Sequence, residues 1–189
     1  MKLLQYILSP IARDYWIGRT FLHRNETGVS DPVAPQIAGL RLNALCSEDM
    51  AEIHRSPNAD LRRYGAGAPG LRQFGARIDG EIAAVCTFSS GEEYARAGGF
   101  YLLDRNEAEL TDIFTSTRYR GRGIAGALIR FSTGCMPNEG FHSLSAKVWH
   151  SNTPSSRAFL GAGWKQSCFF VRLSPRGRSG HWHMEWPRP

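Results

Sequence analysis

Residues 107–131 read EAELTDIFTSTRYRGRGIAGALIRF, and the rest of the chain can be arranged around this stretch. Residues 108–115 mix apolar and β-branched side chains with polar ones, which predicts a strand that ends near Ser116. The small and apolar residues 127–131 favour a buried helix. The stretch therefore predicts a strand, a glycine-rich turn and a helix in immediate succession.

The turn between this strand and this helix predicts an anion site. Its residues are Arg120, Gly121, Arg122, Gly123, Ile124, Ala125 and Gly126, with Arg118 just before them. The first N–H groups of a helix lack intrahelical acceptors, and the helix dipole favours negative charge at that end. Glycine lets the backbone approach a ligand closely, and the arginines add positive charge.

The spacing of the turn excludes two common nucleotide motifs and matches a third pattern. There is no G-x-G-x-x-G followed by a ribose-binding acid, and no G-x-x-x-x-G-K-[ST]. Arg120-x-x-Gly123-x-Ala125 resembles the R/Q-x-x-G-x-G/A signature of the GNAT N-acyltransferases, in which this turn holds the pyrophosphate of coenzyme A. Taken alone, the motif is also compatible with a structural turn that binds no ligand.

A second segment strengthens the resemblance. Residues 152–164, NTPSSRAFLGAGW, are similar to the late GNAT pattern N-x-x-(A/S)-x-x-x-(Y/F)-x-x-x-G-(F/W). The residues in register are Asn152, Ser155, Phe159, Gly163 and Trp164. The two motifs follow the family's order, and each lies at a predicted strand-to-helix junction. The succession of predicted strands and helices over residues 37–186 is also similar to that of the family.

The resemblance implies a coenzyme A site. Acetyl-CoA, as cosubstrate, would lie between two splayed strands, 110–115 and 144–149, with its pyrophosphate on the N–H groups of residues 121–126. The backbone of Phe114 and Thr115 would pair with the pantetheine arm in strand fashion. The implied contacts are Phe114, Thr115, Arg120, Gly121, Arg122, Gly123, Ile124, Ala125, Gly126, Asn152, Ser155 and Phe159. Asn152 could equally be a helix cap or turn former.

Acetyl transfer to an amine also needs a base and a donor that polarises the thioester carbonyl. An acidic residue on the central strand is the natural base, and Glu109 is the first candidate, because several GNAT enzymes carry a glutamate at this offset from the signature. Asp112 is the second candidate, although it points to the other face of the strand unless a bulge intervenes. The backbone N–H of Thr115 is the candidate donor. Either acid could instead be a solvated residue or a salt-bridge partner.

Phe159 departs from the pattern that the resemblance implies. Many family members carry a tyrosine at this position, thought to protonate the leaving thiolate, and phenylalanine cannot donate that proton. The function implied is N-acetyltransfer to a primary amine of a small molecule or peptide. A longer-chain acyltransferase that uses acyl-CoA or an acyl carrier protein, and a non-catalytic acyl-CoA-binding module, remain as alternatives.

The composition bounds the class of protein. A chain of 189 residues with 42% hydrophobic and 21% charged residues is ordinary for one globular domain. No apolar run approaches the roughly 20 residues that cross a bilayer, so we expect no membrane partner. The four cysteines lack metal-ligand spacing, and His181, His183 and Glu185 alternate on one strand too far apart to suit zinc. We expect no metal and a cytoplasmic location.

The remaining pattern predicts the organisation of the chain. Residues 1–35 are interpreted as an N-terminal extension docked on a domain of residues 36–189. Within that domain we expect strands at 37–45, 71–78, 81–89, 100–103, 143–149, 167–173 and 181–186, helices from 47 and from 154, a helix or turn at 61–64, and a loop at 91–99. The fold class is α/β (α+β), a mostly antiparallel sheet flanked by helices.

The formal charge of +6 bears on partners rather than on fold. A phosphorylated cofactor accounts for the arginines of the turn, and its glycines already have a structural use. We therefore expect no nucleic acid partner. The chain could form a homodimer.

Overall fold

A computed structural model describes residues 12–24, 37–65, 67, 70–96, 99, 103–177 and 180–187, and every structural statement below refers to these residues. The strands are β1 (Ala12–Arg24), β2 (Leu40–Ala44), β3 (Leu71–Ile78), β4 (Glu81–Ser89), β5 (Glu107–Thr115), β6 (Ser143–Trp149), β7 (Lys165–Pro175) and β8 (Trp182–Pro187). The helices are α1 (Ser47–His54), α2 (Ala59–Arg62), α3 (Gly91–Arg96), α4 (Ile124–Cys135) and α5 (Thr153–Gly161).

The strands form one sheet in the order β2-β3-β4-β5-β6-β1-β7-β8. Only β5 and β6 pair in parallel, and the other neighbours are antiparallel. The mostly antiparallel sheet flanked by helices confirms the predicted fold class. We call β2 to β5 the first arm of the sheet, and β6, β1, β7 and β8 the second arm.

The first arm follows local rules. Its central hairpin joins β3 to β4 through Asp79 and Gly80, whose φ angles are 50° and 87°. Two left-handed residues in a two-residue turn match the right-handed twist of the flanking strands, which is why an Asp-Gly pair predicts such a hairpin. The predicted strands at 71–78 and 81–89 are confirmed residue for residue.

Residues 12–24 correct the prediction of an N-terminal extension. They form β1, an interior strand that pairs with β6 from Gly18 to Arg24 and with β7 from Ala12 to Leu22. Phe21 on this strand is fully buried and stacks on Phe159 of α5 with ring centroids 5.4 Å apart. This part of residues 1–35 therefore belongs to the sheet itself, while 1–11 and 25–35 lie outside the described residues.

Two local predictions also need correction or lie outside the described residues. The predicted loop at 91–99 contains α3, in which Arg96 forms ion pairs with Glu92 at 2.8 Å and with Glu93 at 3.4 Å. Of the predicted strand at 100–103, only Leu103 is described, and it is not in a strand. The sequence signal missed in α3 is the pair of acidic residues in the first turn with a basic one in the last.

The core that supports the site lies between the sheet and α4. Leu128 and Ile129 of this helix are fully buried in one cluster with alternate residues of β6, namely Leu144, Ala146 and Val148. The intervening residues of β6 therefore face the other side of the sheet, in agreement with the period of two in a strand. None of the helices in the described part of the chain is long and apolar enough to span a bilayer.

Candidate active site

The sheet opens between its two arms. β5 and β6 pair from Glu107 opposite Ser143 to Leu110 opposite Ala146, and their pairing stops there. β5 nevertheless stays paired with β4 as far as Thr115. Beyond Leu110 the edge of β5 that faces β6 therefore has no strand beside it, which is the splayed pair of strands that the resemblance implied.

A β-bulge marks the point where the strands part. Leu110 lies opposite Phe88 and Asp112 lies opposite Thr87, so Thr111 is an extra residue in β5. Leu110 and Ile113, three residues apart, both pack in the core cluster beside α4. An extra residue shifts the alternation of a strand, so the bulge that the sequence left open is present. Because of it, Asp112 shares a face with Glu109.

The opening forms a cavity of about 960 Å³ bounded by β5, α4 and α5. Every residue named above as an implied coenzyme A contact lines this cavity, except Arg122. Other residues that were not among the predicted contacts also line it, including Ile113, Tyr119, Arg130 and Arg157. The two motifs are thus brought together on one cavity, while the contacts themselves remain a prediction.

The turn before α4 forms part of the wall of this cavity. Gly121 and Gly123 both have φ of 78°, a left-handed conformation that side chains rarely adopt. A Cβ on either would meet nothing within 4 Å, so glycine is required there by conformation rather than by packing. Gly123 is the N-cap, and the N–H of Ala127 donates to its carbonyl. The preceding N–H groups of the helix have no intrahelical acceptor.

The arginines of the turn hold its shape. Arg120 Nε donates to the carbonyl of Thr115 at 3.0 Å, and Arg118 forms an ion pair with Glu81 at 2.9 Å. Arg122, the predicted contact that does not line the cavity, lies over the ring of Tyr119, 5.6 Å from its centroid. These contacts fix the turn against β4 and β5 and keep positive charge beside the start of α4.

The backbone direction of β5 corrects one predicted contact. The N–H of Ser116 donates to Ala83 O at 2.9 Å, towards β4. Alternate residues of an antiparallel strand point their N–H and C=O groups the same way, so those of Phe114 also face β4. Those of Ile113 and Thr115 face the open side. The carbonyl of Thr115 already accepts a hydrogen bond from Arg120 Nε. A strand-like partner in the cavity would therefore pair with Ile113 and with the N–H of Thr115, and Phe114 lines the cavity without offering its backbone.

The second motif fixes the start of α5 and its buried face. The Asn152 side chain accepts a hydrogen bond from the N–H of Ser155 at 3.2 Å, so it is the helix cap that the sequence analysis gave as an alternative to a ligand contact. Phe159 is buried and packs edge-on against Trp164, with ring centroids 5.0 Å apart. Its ring completes the core beneath the cavity and carries no group that could donate a proton.

Glu109 lies in a buried polar cluster that joins the two arms. Its Oε2 accepts hydrogen bonds from Tyr94 Oη at 2.8 Å, from Ser145 Oγ at 3.3 Å and from Lys147 Nζ. Only 4% of the Glu109 surface is exposed, and the Lys147 side chain is also buried. Burial lowers the pKa of Lys147, and the Glu109 carboxylate opposes that shift. One carboxylate oxygen thus links β5 of the first arm to β6 of the second.

The partners of Glu109 were not predicted from the sequence. Ser145 and Lys147 lie on β6 between the core residues of its other face, and Tyr94 lies on α3. The available signal in the sequence was a lysine in one strand, β6, and a glutamate in the neighbouring strand, β5. Within the described residues the second oxygen of Glu109, Oε1, has no hydrogen-bond partner.

Asp112 is the more accessible of the two candidate acids. Its side chain is 44% exposed and forms a long ion pair of 3.4 Å with Arg63, which is itself exposed. Burial and a hydrogen bond to Asp112 raise the pKa of Tyr64, so that phenol stays protonated. The bulge at Thr111 thus places one buried, paired carboxylate and one accessible carboxylate on the same face of β5.

The last strand shows no metal site. His183 donates to or accepts from Glu185 at 3.0 Å on the same strand, and His181 contacts Arg172 instead. Among the described residues, no three His, Cys, Asp or Glu side chains are grouped closely enough to hold a metal ion.

Solved structures share this fold. One is an acetyltransferase of the GNAT family from Novosphingobium aromaticivorans (19% identity, TM-score 0.56, covering 85% of this chain and 64% of that one). Another is a GCN5-related N-acetyltransferase from Kribbella flavida (14% identity, TM-score 0.59, covering 93% and 64%). A third is AAC(6')-Iy in complex with the bisubstrate analogue CoA-S-monomethyl-acetylneamine (18% identity, TM-score 0.50, covering 67% and 90%). The chain thus spans about 64% of the length of the first two.

No curated protein sequence matches the chain. A family model does match it, over residues 41–164, which is about two thirds of its length and includes both motifs and both sides of the cavity. The match and the geometry agree, and the chain belongs to the acetyltransferase (GNAT) family.

Proposed function

We propose that the protein transfers an acetyl group from acetyl-CoA to a primary amine of a small molecule or peptide. The observation that carries the proposal is the cavity between the parted strands β5 and β6, which has the glycine turn and the start of α4 in its wall. A diphosphate fits the exposed N–H groups of that helix end, and the open edge of β5 fits an extended amide-containing arm.

Different parts of the cavity would bind different parts of acetyl-CoA. The N–H groups from Gly121 to Gly126 would hold the pyrophosphate, with charge from Arg120. The carbonyl of Ile113 and the N–H of Thr115 would pair with the pantetheine arm. The thioester would then lie near the point at which the strands part, beside the bulge at Thr111, where both candidate acids share one face.

We propose Asp112 as the group that takes the proton from the amine, directly or through a water. It is accessible, whereas Glu109 has one oxygen occupied by three donors and little exposed surface. The neutral amine then attacks the thioester carbon. The N–H of Ile113, which is nearer to the bulge than that of the predicted donor Thr115, stabilises the negative oxygen. The C–S bond breaks, the nitrogen loses its second proton, and the departing thiolate takes up a proton through water, because Phe159 offers no donor. Glu109 remains the alternative through its unpaired Oε1.

The acids can be distinguished by kinetics. In Asp112→Asn we expect kcat to fall by about 100-fold or more, the usual contribution of a general base, with little change in folding stability. In Glu109→Gln we expect a smaller effect on kcat and a clear loss of stability, because the Lys147 ammonium would lose its buried partner. The pH–rate profile settles the assignment: the acidic limb should disappear in the Asp112 variant, and its disappearance in the Glu109 variant instead would assign the proton to Glu109.

Calorimetry with acetyl-CoA tests the cofactor site, with NAD and ATP as competing phosphate ligands. Gly123→Ala should weaken acetyl-CoA binding about tenfold or more, because a side chain at this left-handed position strains the turn. A tenfold loss of affinity corresponds to about 1.4 kcal/mol. Gly140→Ala is the matched control: Gly140 also has a left-handed φ, 87°, and open space around it, but it does not line the cavity. Equal effects on binding, or no binding by the wild-type protein, would contradict the proposed site.

Phe159 supports a second candidate, a module that binds acyl-CoA without turnover, because no hydroxyl is present at that position to protonate a thiolate. Release of free thiol from acetyl-CoA in the presence of a panel of amines would exclude it. A strong preference for long or carrier-bound acyl groups in the same assay would favour the longer-chain acyltransferase. We also propose a cytoplasmic location, consistent with four free cysteines, and cell fractionation tests it.

A further inference from the structure

The outer face of the last two strands exposes large apolar side chains. Trp182, Met184 and Trp186 of β8 are 57%, 48% and 48% exposed, and Phe169 beside them on β7 is 40% exposed. They are four of the five large hydrophobic residues that are exposed in the described part of the chain. Contiguous apolar surface of this kind marks an interaction site more often than an isolated exposed residue does.

The same strand is an edge of the sheet. β8 pairs only with β7, so along its other edge the backbone of the described residues has no strand partner. On the opposite face of β8, His183 stacks on the fully buried Phe170 with ring centroids 5.9 Å apart, whereas Glu185 is exposed. An apolar edge strand is a template for pairing with another strand, and natural proteins cover such edges or protect them with charge.

The sequence of β8 is complementary to itself in one antiparallel register. If two copies pair with Met184 opposite Met184 of the partner subunit, Trp182 lies opposite the partner's Trp186. On the other face, His183 then lies opposite the partner's Glu185. Cross-strand aromatic pairs and donor–acceptor pairs both stabilise a sheet. Moving the centre one residue towards the C-terminus would place Glu185 opposite the partner's Glu185, which is unfavourable.

We propose that β8 is a two-fold dimer interface, in which two copies of this chain pair antiparallel about Met184 and join their sheets. The interface is isologous, the commonest arrangement of soluble homo-oligomers, because the same strand serves both subunits. It buries the tryptophans and Met184 and pairs the free edge of each β8. The candidate active site lies at the opening between the two arms, and β6, β1 and β7 separate β8 from β5. Failure of the proposed function would therefore leave the proposed interface intact.

The position of Met184 on the two-fold axis provides a specific test. Sedimentation of the wild-type protein, from roughly 1 to 100 μM, the range in which the weaker interfaces associate, should show twice the 21.1 kDa of one chain. Met184→Lys and Met184→Glu should each be monomeric, because each brings two like charges together on the axis. An equal mixture of the two variants should recover the dimer, because lysine then meets glutamate.

Leu160→Lys is the matched control, since Leu160 is 48% exposed like Met184 but lies on α5. It should leave the dimer intact, and circular dichroism should show that all variants are folded. A monomeric wild-type protein would overturn the proposal and point to some other cover for the apolar face. Charge variants that remain dimeric, or a mixture that stays monomeric, would overturn it as well.

Discussion

The two arms of the sheet differ in how far apart in sequence their neighbours lie. In the first arm β2, β3, β4 and β5 pair in chain order, and a two-residue turn joins the central hairpin. In the second arm β1 is inserted between β6 and β7, so Gly18 pairs with Trp149. The first arm therefore pairs strands that are consecutive in sequence, and a local turn specifies its central hairpin. The second depends on long-range packing, since a Cβ at Gly18 would approach Val148 O to 2.6 Å and Phe170 to 2.7 Å.

The family match follows the same division. Residues 41–164 cover nearly all of the first arm, the signature turn and β6, whereas β1, β7 and β8 lie outside. The part of the chain that forms the cavity is thus the part shared with the family. The second arm is completed by strands outside the match, and whether those strands carry stability equal to that of the first arm can be measured.

The largest expected effect is the loss of stability on removing one buried phenylalanine from each arm. Phe21→Ala in β1 and Phe74→Ala in β3 should each lower the free energy of unfolding by about 3–5 kcal/mol, the usual cost of removing a buried ring. Both side chains are almost fully buried, at 0% and 3% exposure. Urea denaturation measures the loss. A near-neutral Phe21→Ala would mean that residues 12–24 are accessory to the domain after all.

The next effect concerns the ion pair that joins the arms. Lys147→Met should destabilise the protein by about 3 kcal/mol, because it leaves the Glu109 carboxylate buried without its cation. The double variant Glu109→Gln with Lys147→Met should recover much of this loss, because it removes both the buried carboxylate and the buried ammonium. Equilibrium denaturation of the three variants forms a double-mutant cycle. Additive losses would show that the two side chains do not interact.

A smaller effect compares the two asparagine caps. Asn58 caps α2 in the first arm and Asn152 caps α5 at the cavity, each accepting hydrogen bonds from backbone N–H groups with its side chain. Replacing either by Ala should cost about 1 kcal/mol of stability. Only Asn152→Ala should also weaken acetyl-CoA binding in calorimetry, because only Asn152 lines the cavity. Unchanged affinity would reduce Asn152 to a structural cap.

The smallest effect is a pH dependence in the second arm. Burial lowers the pKa of His23 on β1 below its ordinary value of 6.5. The unfolded chain therefore protonates His23 more readily than the folded protein does. The contribution of His23 to the free energy of unfolding is complete above its ordinary pKa and is lost as the pH falls below that value. Between about pH 7 and about pH 5 the wild-type protein should lose more stability than His23→Gln. Parallel pH profiles of the two proteins would contradict this.

Much of the first arm and of the cavity could be predicted from sequence, because each signal is local. The Asp79-Gly80 turn and the glycines at 121 and 123 each fix a short backbone conformation. The position of β1 could not be predicted, since strand insertion depends on contacts between residues far apart in the chain. The partnership of Glu109 with Lys147 was missed for the same reason, and α3 was missed because a helix of six residues has little periodicity.

The extra residue at Thr111 makes the length of β5 matter more than its composition. Between Leu110 and Thr115 many side chains could be exchanged while the strand keeps its place beside β4. Deleting Thr111 would remove the bulge and leave Asp112 on the face of Glu109 and Ile113 in the core. Inserting one more residue after Thr111 would instead move the Asp112 carboxylate towards the core and Ile113 to the opposite face. Insertions in this segment should therefore be far less tolerated than deletion of Thr111, and a library that separates the two kinds of change would reveal it.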